Sequence, residues 1–177
     1  YKIESSDNSL TIATTRPETM FGDTAVAVNP KDDRYKNFIG KNITIPIADR
    51  TVKIIADNYV SIEQGSGALK VTPAHDFNDF DIGKRHKLEF INIFEKNGKL
   101  NNKVPKEFIG LDRFEARKII VNLLKEKNFL EKIINIKNTV PYGDRSNSII
   151  EPLLTEQWFV NAKYLSQKAK EVVKKNK

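Results

Sequence analysis

The chain of 177 residues predicts an α+β fold wrapped around a strongly bent sheet or barrel. Three observations carry that expectation. Short β-branched runs recur between turn residues. Only a few stretches have helical periodicity. The regular strand–helix–strand alternation of a doubly wound sheet is missing, and so is any phosphate-cradling Gly-x-Gly-x-x-Gly or Walker-type loop.

Taken in order, Leu10 to Thr14 alternates and is β-branched, so it reads as a strand, and Thr24 to Val28 reads as a second. Asn29-Pro30 offers an N-cap followed by proline at the first helical position, which predicts a short helix to about Phe38. Ile43 to Ile47, Val52 to Ala56 and Leu69 to Thr72 read as strands separated by Gly, Asp and Asn turns. Asp76 to about His86 has an acidic start and a basic end, which suits a helix dipole. Phe90 to Phe94 reads as a strand and Asn97-Gly98 as a tight turn. Asp112 with Glu115 resembles a capping box, with Asp in place of the usual Ser or Thr. Ala116, Ile119, Ile120, Leu123 and Leu124 then recur at helical spacing. Ile133 to Val140 reads as a strand and Pro141-Tyr142-Gly143-Asp144 as a turn. Asn161 to about Lys175 reads as a last helix with Ala162, Leu165, Ala169 and Val172 inward.

A hydrophobic content of 39% and a charged content of 30% suit a soluble globular protein, and no apolar run approaches the roughly 18 residues of a membrane span. There is no cysteine, so disulfides and thiolate nucleophiles are excluded, in keeping with a cytoplasmic setting. The chain begins mid-pattern at Tyr1 with no signal peptide, which reads as a piece of a longer protein. The net charge of +7 fits a polyanionic partner such as RNA. It fits equally a Lys-, Asn- and Ile-rich composition with a basic tail at Lys168, Lys170, Lys174, Lys175 and Lys177.

Two blocks carry the chemistry. In Thr14-Thr15-Arg16-Pro17-Glu18-Thr19, Pro17 stops a strand and exposes the neighbouring hydroxyls and amides, which makes either a binding edge or a polar turn. In Gly65-Ser66-Gly67-Ala68-Leu69-Lys70-Val71-Thr72-Pro73-Ala74-His75-Asp76, Lys70 and Thr72 alternate with Leu69 and Val71 and so share one strand face. His75, Asp76, Asp79 and Asp81 lack the spacing of a zincin, and capping carboxylates explain Asp76 and Asp79 without a metal. His86 reads as a surface or cap residue. No Gly-x-Ser-x-Gly elbow is present. An ester hydrolase of this composition would position a water rather than form an acyl-enzyme.

These blocks resemble the valyl-type editing insertion of the class I aminoacyl-tRNA synthetases. The resemblance rests on Arg16-Pro17-Glu18-Thr19, Gly22-Asp23-Thr24-Ala25-Val26-Ala27-Val28, Asp32-Asp33-Arg34-Tyr35 and Lys70-Val71-Thr72-Pro73-Ala74-His75-Asp76. Gly110-Leu111-Asp112-Arg113, Glu151-Pro152 and Gln157-Trp158-Phe159 extend it over nearly the whole chain. It implies a β-barrel-like editing domain with peripheral helices over 1–150. Residues 151–177 then return toward a catalytic domain and end in a helix.

The implied activity is hydrolysis of threonine from mischarged tRNA(Val). The implied catalytic residues are Thr14, Arg16, Lys70, Asp76 and Asp79. Thr15, Thr19, Thr72, His75 and Ser66 would contact substrate. Asp76 and Asp79 would hold the α-ammonium, Lys70, Thr72 and Asp79 would read the threonine hydroxyl, and Thr14 and Arg16 would position the ester or terminal ribose. No metal or cofactor is implied for this chain. ATP and Mg belong to the parent enzyme, whose His-x-Gly-His and Lys-Met-Ser-Lys-Ser signatures are absent here. The implied partners are the tRNA(Val) 3′ acceptor end and the remainder of a synthetase chain, with no membrane and a monomeric fragment. An isoleucyl-type editing domain and a non-catalytic module docking the acceptor end are the alternatives. Two positions depart from the family pattern: Ser66 replaces the usual Thr between the glycines, and Gln64 stands where an aromatic residue often precedes them.

Overall fold

Ala25-Val26-Ala27-Val28 is apolar at four consecutive positions and buried at all four, as a strand covered on both faces must be. It is β2 of a five-stranded mixed sheet in a computed structural model that describes residues 1–4 and 8–175. The strands are β1 (Lys2–Ile3), β2 (Ala25–Val28), β3 (Asn42–Ile45), β4 (Arg50–Ala56) and β5 (Ala68–Val71), in the order β1-β3-β4-β2-β5. β2 runs parallel to β4, with Ala25 beside Lys53, and antiparallel to β5, with Ala25 beside Val71. β3 pairs antiparallel with both β1 and β4.

A helix lies against one face of the sheet, and irregular segments together with a second helix complete the core on the other. Ala25, Ala27, Val71 and Val60 pack with Ile82 of α1 (Phe77–His86). Val26, Val28, Ile43, Ile45 and Ile54 pack with Phe94, Leu100 and Phe108 and with Ala116 and Ile120 of α2 (Arg113–Glu126). Asp112 caps α2 by accepting the Phe114 N–H at 2.8 Å. Asn97-Gly98 makes the expected turn, Gly98 N–H donating to the Glu95 carbonyl at 2.9 Å.

Four expected elements differ, for physical reasons. Leu10 to Thr14 and Phe90 to Phe94 are irregular, not strands. Their alternation reports burial of one side (Leu10 and Ile12; Ile91, Ile93 and Phe94) rather than ladder pairing. The Ile93 N–H is instead taken by the His75 ring. Residues 30–38 form turns closed by a short 3₁₀ helix, Lys36–Phe38. The Asn29 and Asp32 side chains capture the Lys31 and Arg34 amides and compete with helix formation. Residues 133–140 form no strand, and Ile133, Ile134 and Ile136 are exposed.

Two boundaries also move. β3 stops at Ile45 because Pro46 has no N–H to give. The turn expected at 141–144 is displaced to 144–146, closed by Asn147 N–H on the Gly143 carbonyl. α3 (Ala162–Lys175) forms where expected, but Ala162, Leu165, Ala169 and Val172 are exposed rather than inward. No helix among the described residues is long and apolar enough to cross a membrane.

Candidate functional site

β5 ends at Val71, and a tight turn closed by His75 N–H on the Thr72 carbonyl throws the chain into α1. Asp76 is the N-cap, its Oδ1 accepting the Asn78 and Asp79 amides at 2.8 and 3.2 Å. Asp79 is not a cap. It folds back under the turn, and its Oδ2 accepts the Thr72 N–H at 2.8 Å, the one hydrogen bond its carboxylate accepts among the described residues. Burial pushes Asp79 up from an ordinary 3.8 to about 6. The Thr72 N–H and the Lys70 ammonium act the other way, and the Asp76 and Asp23 charges reinforce burial.

Lys70 and Thr72 leave β5 on the same side, as their alternation requires, and meet on Asp23. Its Oδ1 accepts from Lys70 Nζ at 3.1 Å and from the Thr72 hydroxyl at 2.6 Å, and Lys70 also donates to Thr72 Oγ1. Its Oδ2 accepts from the Tyr1 hydroxyl at 2.5 Å, while the Arg50 guanidinium holds its carbonyl. The Tyr1 phenol is held far above its ordinary range by burial and by Asp23.

Pro17 opens the 3₁₀ helix Pro17–Gly22 that leads into β2. Glu18, fully buried, is gripped through both oxygens by Arg117 of α2 at 2.8 and 2.6 Å, which seats this segment on the body. Arg16 then reaches the start of α1, donating to the His75 carbonyl at 2.9 Å and to Glu151. Arg113 holds the other Glu151 oxygen at 3.2 Å. Gly22 is the close approach in this corner: a Cβ there would lie 3.0 Å from Thr72 Cγ2 and 3.4 Å from His75 Cδ2. At the other end of the segment, Gly65 has φ +63° and a Cβ on it would lie 3.3 Å from Ala13 Cβ. Ala13 to Arg16 therefore runs from the glycine loop to the start of α1.

His75 is buried, its Nε2 accepting the Ile93 N–H at 3.0 Å and its ring packing edge-on to Phe94. The accepted bond puts the proton of the neutral ring on Nδ1, which has no hydrogen-bond partner among the described residues and lies 3.8 Å from Glu151 Oε1. Burial, then the Arg16 and Lys70 charges, lower His75 from 6.5 to about 4, against the pull of the Pro152 and Ile91 carbonyls. It is a neutral strut.

Lys70, Thr72, Asp76 and Asp79 thus gather at one corner, with Arg16 joined to them through the 72–79 turn. Thr14 is exposed and its hydroxyl accepts the Arg16 N–H at 3.0 Å; Thr15 is exposed beside it. Two residues expected to contact substrate are turned inward. The Thr19 hydroxyl is buried on the Arg16 carbonyl at 2.9 Å, and the His75 ring faces the core. Ser66 sits before the opposite end of β5, its hydroxyl turned onto the Ala68 carbonyl at 3.2 Å. Sequence reasoning missed Asp23, Glu18 and Glu151 as members of the network. Their signal was present, since each stands inside a motif block, but their partners lie far along the chain. Among the described residues no three His, Asp or Glu side chains converge as metal ligands do.

Residues 33–122 match the family described as leucyl-tRNA synthetase, editing domain. The chain belongs to this synthetase editing-domain family. It is 65% identical over its whole length to the valine--tRNA ligase of Pelagibacter ubique (strain HTCC1062), spanning 20% of that protein. To the valine--tRNA ligase of Caulobacter vibrioides it is 55% identical, over 93% of this chain and 18% of that one. The chain thus spans about a fifth of the length of the curated relatives it matches. Its fold is shared with the GlLeuRS-CP1 crystal structure, at a TM-score of 0.58 and 14% identity over 77% of this chain and 87% of that one. The Agrobacterium radiobacter K84 agnB2 LeuRS-tRNA-LeuAMS complex matches at a TM-score of 0.58 and 23% identity, over 71% of this chain and 18% of that one. These findings bear out the valyl-type resemblance and the α+β editing-domain fold.

Proposed function

We propose that this domain removes threonine from mischarged threonyl-tRNA(Val) by directing a water at the ester. The observation that carries the reading is Asp79: a buried carboxylate with one hydrogen bond, held near 6 at the mouth of a helix, beside Lys70 and Thr72. Such a group lacks a cation, and the α-ammonium of an aminoacyl ester supplies one. Asp76, exposed at the same helix start, adds negative charge on the side open to solvent. Lys70 and Thr72 read the threonine hydroxyl. Arg16 and Thr14 position the ester or terminal ribose, and Thr15 and Ser66 line the approach between the segment from Ala13 and the glycine loop.

The chemistry asks little more of the protein. The ester is already activated, so holding it against a water and stabilising the developing oxyanion suffices. The need for a second site is physical too. A hydrophobic pocket rejects an isostere with an added hydroxyl only weakly, and valyl-tRNA synthetase facing threonine is the general illustration of that limit. A site that hydrogen-bonds the hydroxyl rejects valine, which would leave those groups unpaired.

In this reading the domain acts within a cytoplasmic valine--tRNA ligase. ATP- and Mg-dependent ligation of valine to tRNA(Val) falls to the remainder of that chain. The domain itself is monomeric and works without metal or a covalent intermediate. The test offers threonyl-tRNA(Val) and valyl-tRNA(Val) side by side to the full-length protein. Threonine should leave much faster than valine. Equal rates would remove the valyl assignment, and no hydrolysis of either would favour a docking module.

A further inference from the structure

Asp23 belongs to none of the roles above, yet it is fully buried and organises the two residues assigned to the substrate hydroxyl. It is rigidly placed. Its own N–H donates to the Met20 carbonyl at 3.2 Å, its carbonyl is held by Arg50, and the next residue, Thr24, donates to the Val71 carbonyl at 2.9 Å. Its carboxylate accepts three donors: the Tyr1 hydroxyl, Lys70 Nζ and the Thr72 hydroxyl.

A donor–acceptor count follows. A carboxylate only accepts, so the single proton of the Thr72 hydroxyl is committed to Asp23. Thr72 Oγ1 then faces its other neighbours with lone pairs alone, and Lys70 takes one of the two. Of the three N–H bonds of Lys70, one goes to Asp23 and one to Thr72, leaving one. The pair therefore has one spare donor and one spare acceptor. A hydroxyl needs one of each; a methyl satisfies neither.

We propose that Asp23 is the specificity-determining positioning residue of the site. By fixing the Thr72 proton and the Lys70 ammonium, it leaves Lys70 donating to a substrate hydroxyl and Thr72 accepting from it. The inference rests on the editing reading above and adds to it the residue that sets the hydroxyl code. An amide at this position cannot accept from every donor that now converges on it. It would either turn an N–H toward Lys70 or release the Thr72 proton, and the pattern would be lost.

The test uses the full-length protein, with rates on threonyl-tRNA(Val) and valyl-tRNA(Val), for the wild type, Asp23→Asn, Thr72→Val and the double variant. Asp23→Asn is expected to lower the threonine-over-valine ratio roughly tenfold or more, by slowing threonine release while valine release stays constant or rises. In the Thr72→Val background, Asp23→Asn should lower the ratio less than it does in the wild type, because part of its effect runs through Thr72. A general structural role would slow both substrates alike. A ratio unchanged in Asp23→Asn, or an equal loss on both substrates, overturns the inference while a wild-type preference for threonine still supports the editing reading. Absence of that wild-type preference overturns both.

A wild-type measurement covers the case in which Asp23→Asn does not fold. A tRNA charged with the threonine analogue carrying fluorine for the hydroxyl, which accepts but cannot donate, should be hydrolysed well below the threonine rate. Hydrolysis at the threonine rate would overturn the donor–acceptor pattern.

Discussion

A buried aspartate faces each end of α1, and the two are treated in opposite ways. At the C-terminal end Asp57, which follows β4, accepts the Tyr59 N–H, two arms of Arg85 and the His86 ring. Burial alone would push it up, but these partners outweigh burial and hold it below the ordinary carboxylate range. At the N-terminal end Asp79 has the Thr72 N–H and a nearby Lys70 that is already bonded to Asp23, and it rises to about 6. Both residues are 6% exposed. Asp79 lies deeper, with more of the protein around it, and has fewer partners. Depth and partners, not surface exposure, separate a finished ion pair from a carboxylate that still lacks a cation. The first holds a helix end in place. The second is, under the proposed function, where the substrate ammonium would bind.

The comparison can be broken or sharpened by four experiments. The largest effect is expected from Asp79→Ala in the full-length protein, which should abolish deacylation and leave valine-dependent pyrophosphate exchange nearly intact. Losing a charge-assisted hydrogen bond to the ammonium accounts for roughly 10- to 150-fold, and misplacing the ester relative to its water adds to it. Normal deacylation by this variant would mean the site is placed wrongly.

Next comes pH. Asp79 is protonated more readily folded than unfolded, so its contribution to stability falls as pH rises from about 4 to about 6. His75 is protonated less readily folded than unfolded, so its contribution falls as pH drops from 6.5 to about 4. Each displacement is worth roughly 3 kcal/mol, with opposite sign. In the wild type they nearly cancel. Denaturant unfolding of His75→Gln should show stability decreasing upward through this window, and Asp79→Asn should show it decreasing downward. Parallel slopes in the two variants would refute the assignment.

Asp57→Ala should cost about 2 kcal/mol in unfolding free energy, since it strands the Tyr59 amide and the His86 ring, while the threonine-over-valine ratio is retained. A collapse of that ratio would erase the distinction between the two ends. The smallest effect is expected from Asp76→Ala. Loss of the N-cap should lower stability by about 1 kcal/mol, with a smaller editing loss than Asp79→Ala shows. Paired measurement of thermal midpoint and deacylation rate checks both halves.

Much of the fold was legible along the chain. The four-residue apolar run of β2, the alternation of β4 and the helical spacing of α2 each report a local periodicity that the structure keeps. The segments at 10–14 and 90–94 have the same alternation without strand pairing, because period two records which side is buried and not whether a partner strand is within reach. The site was legible where its members are neighbours, as with Lys70 and Thr72 or Asp76 and Asp79. Asp23 meets Lys70 across 47 residues, Glu18 meets Arg117 across 99, and Arg16 meets Glu151 across 135. No local pattern encodes contacts of that span. Ile133, Ile134 and Ile136 are exposed and paired in no strand, because an apolar β-branched run records a local preference and not a partner strand within reach.

The central claim, that Asp79 is a buried carboxylate awaiting an ammonium, is tested most directly by titrating its carboxyl carbon by NMR. The titration is run in the free protein and with a non-hydrolysable 3′-threonylamino-3′-deoxyadenosine. The account predicts a midpoint near 6 without ligand. With the ligand it predicts a fall of about one to two pH units, and no fall with the counterpart lacking the amino group. A midpoint near the ordinary 3.8 in the free protein, or one the amino group does not move, would contradict it.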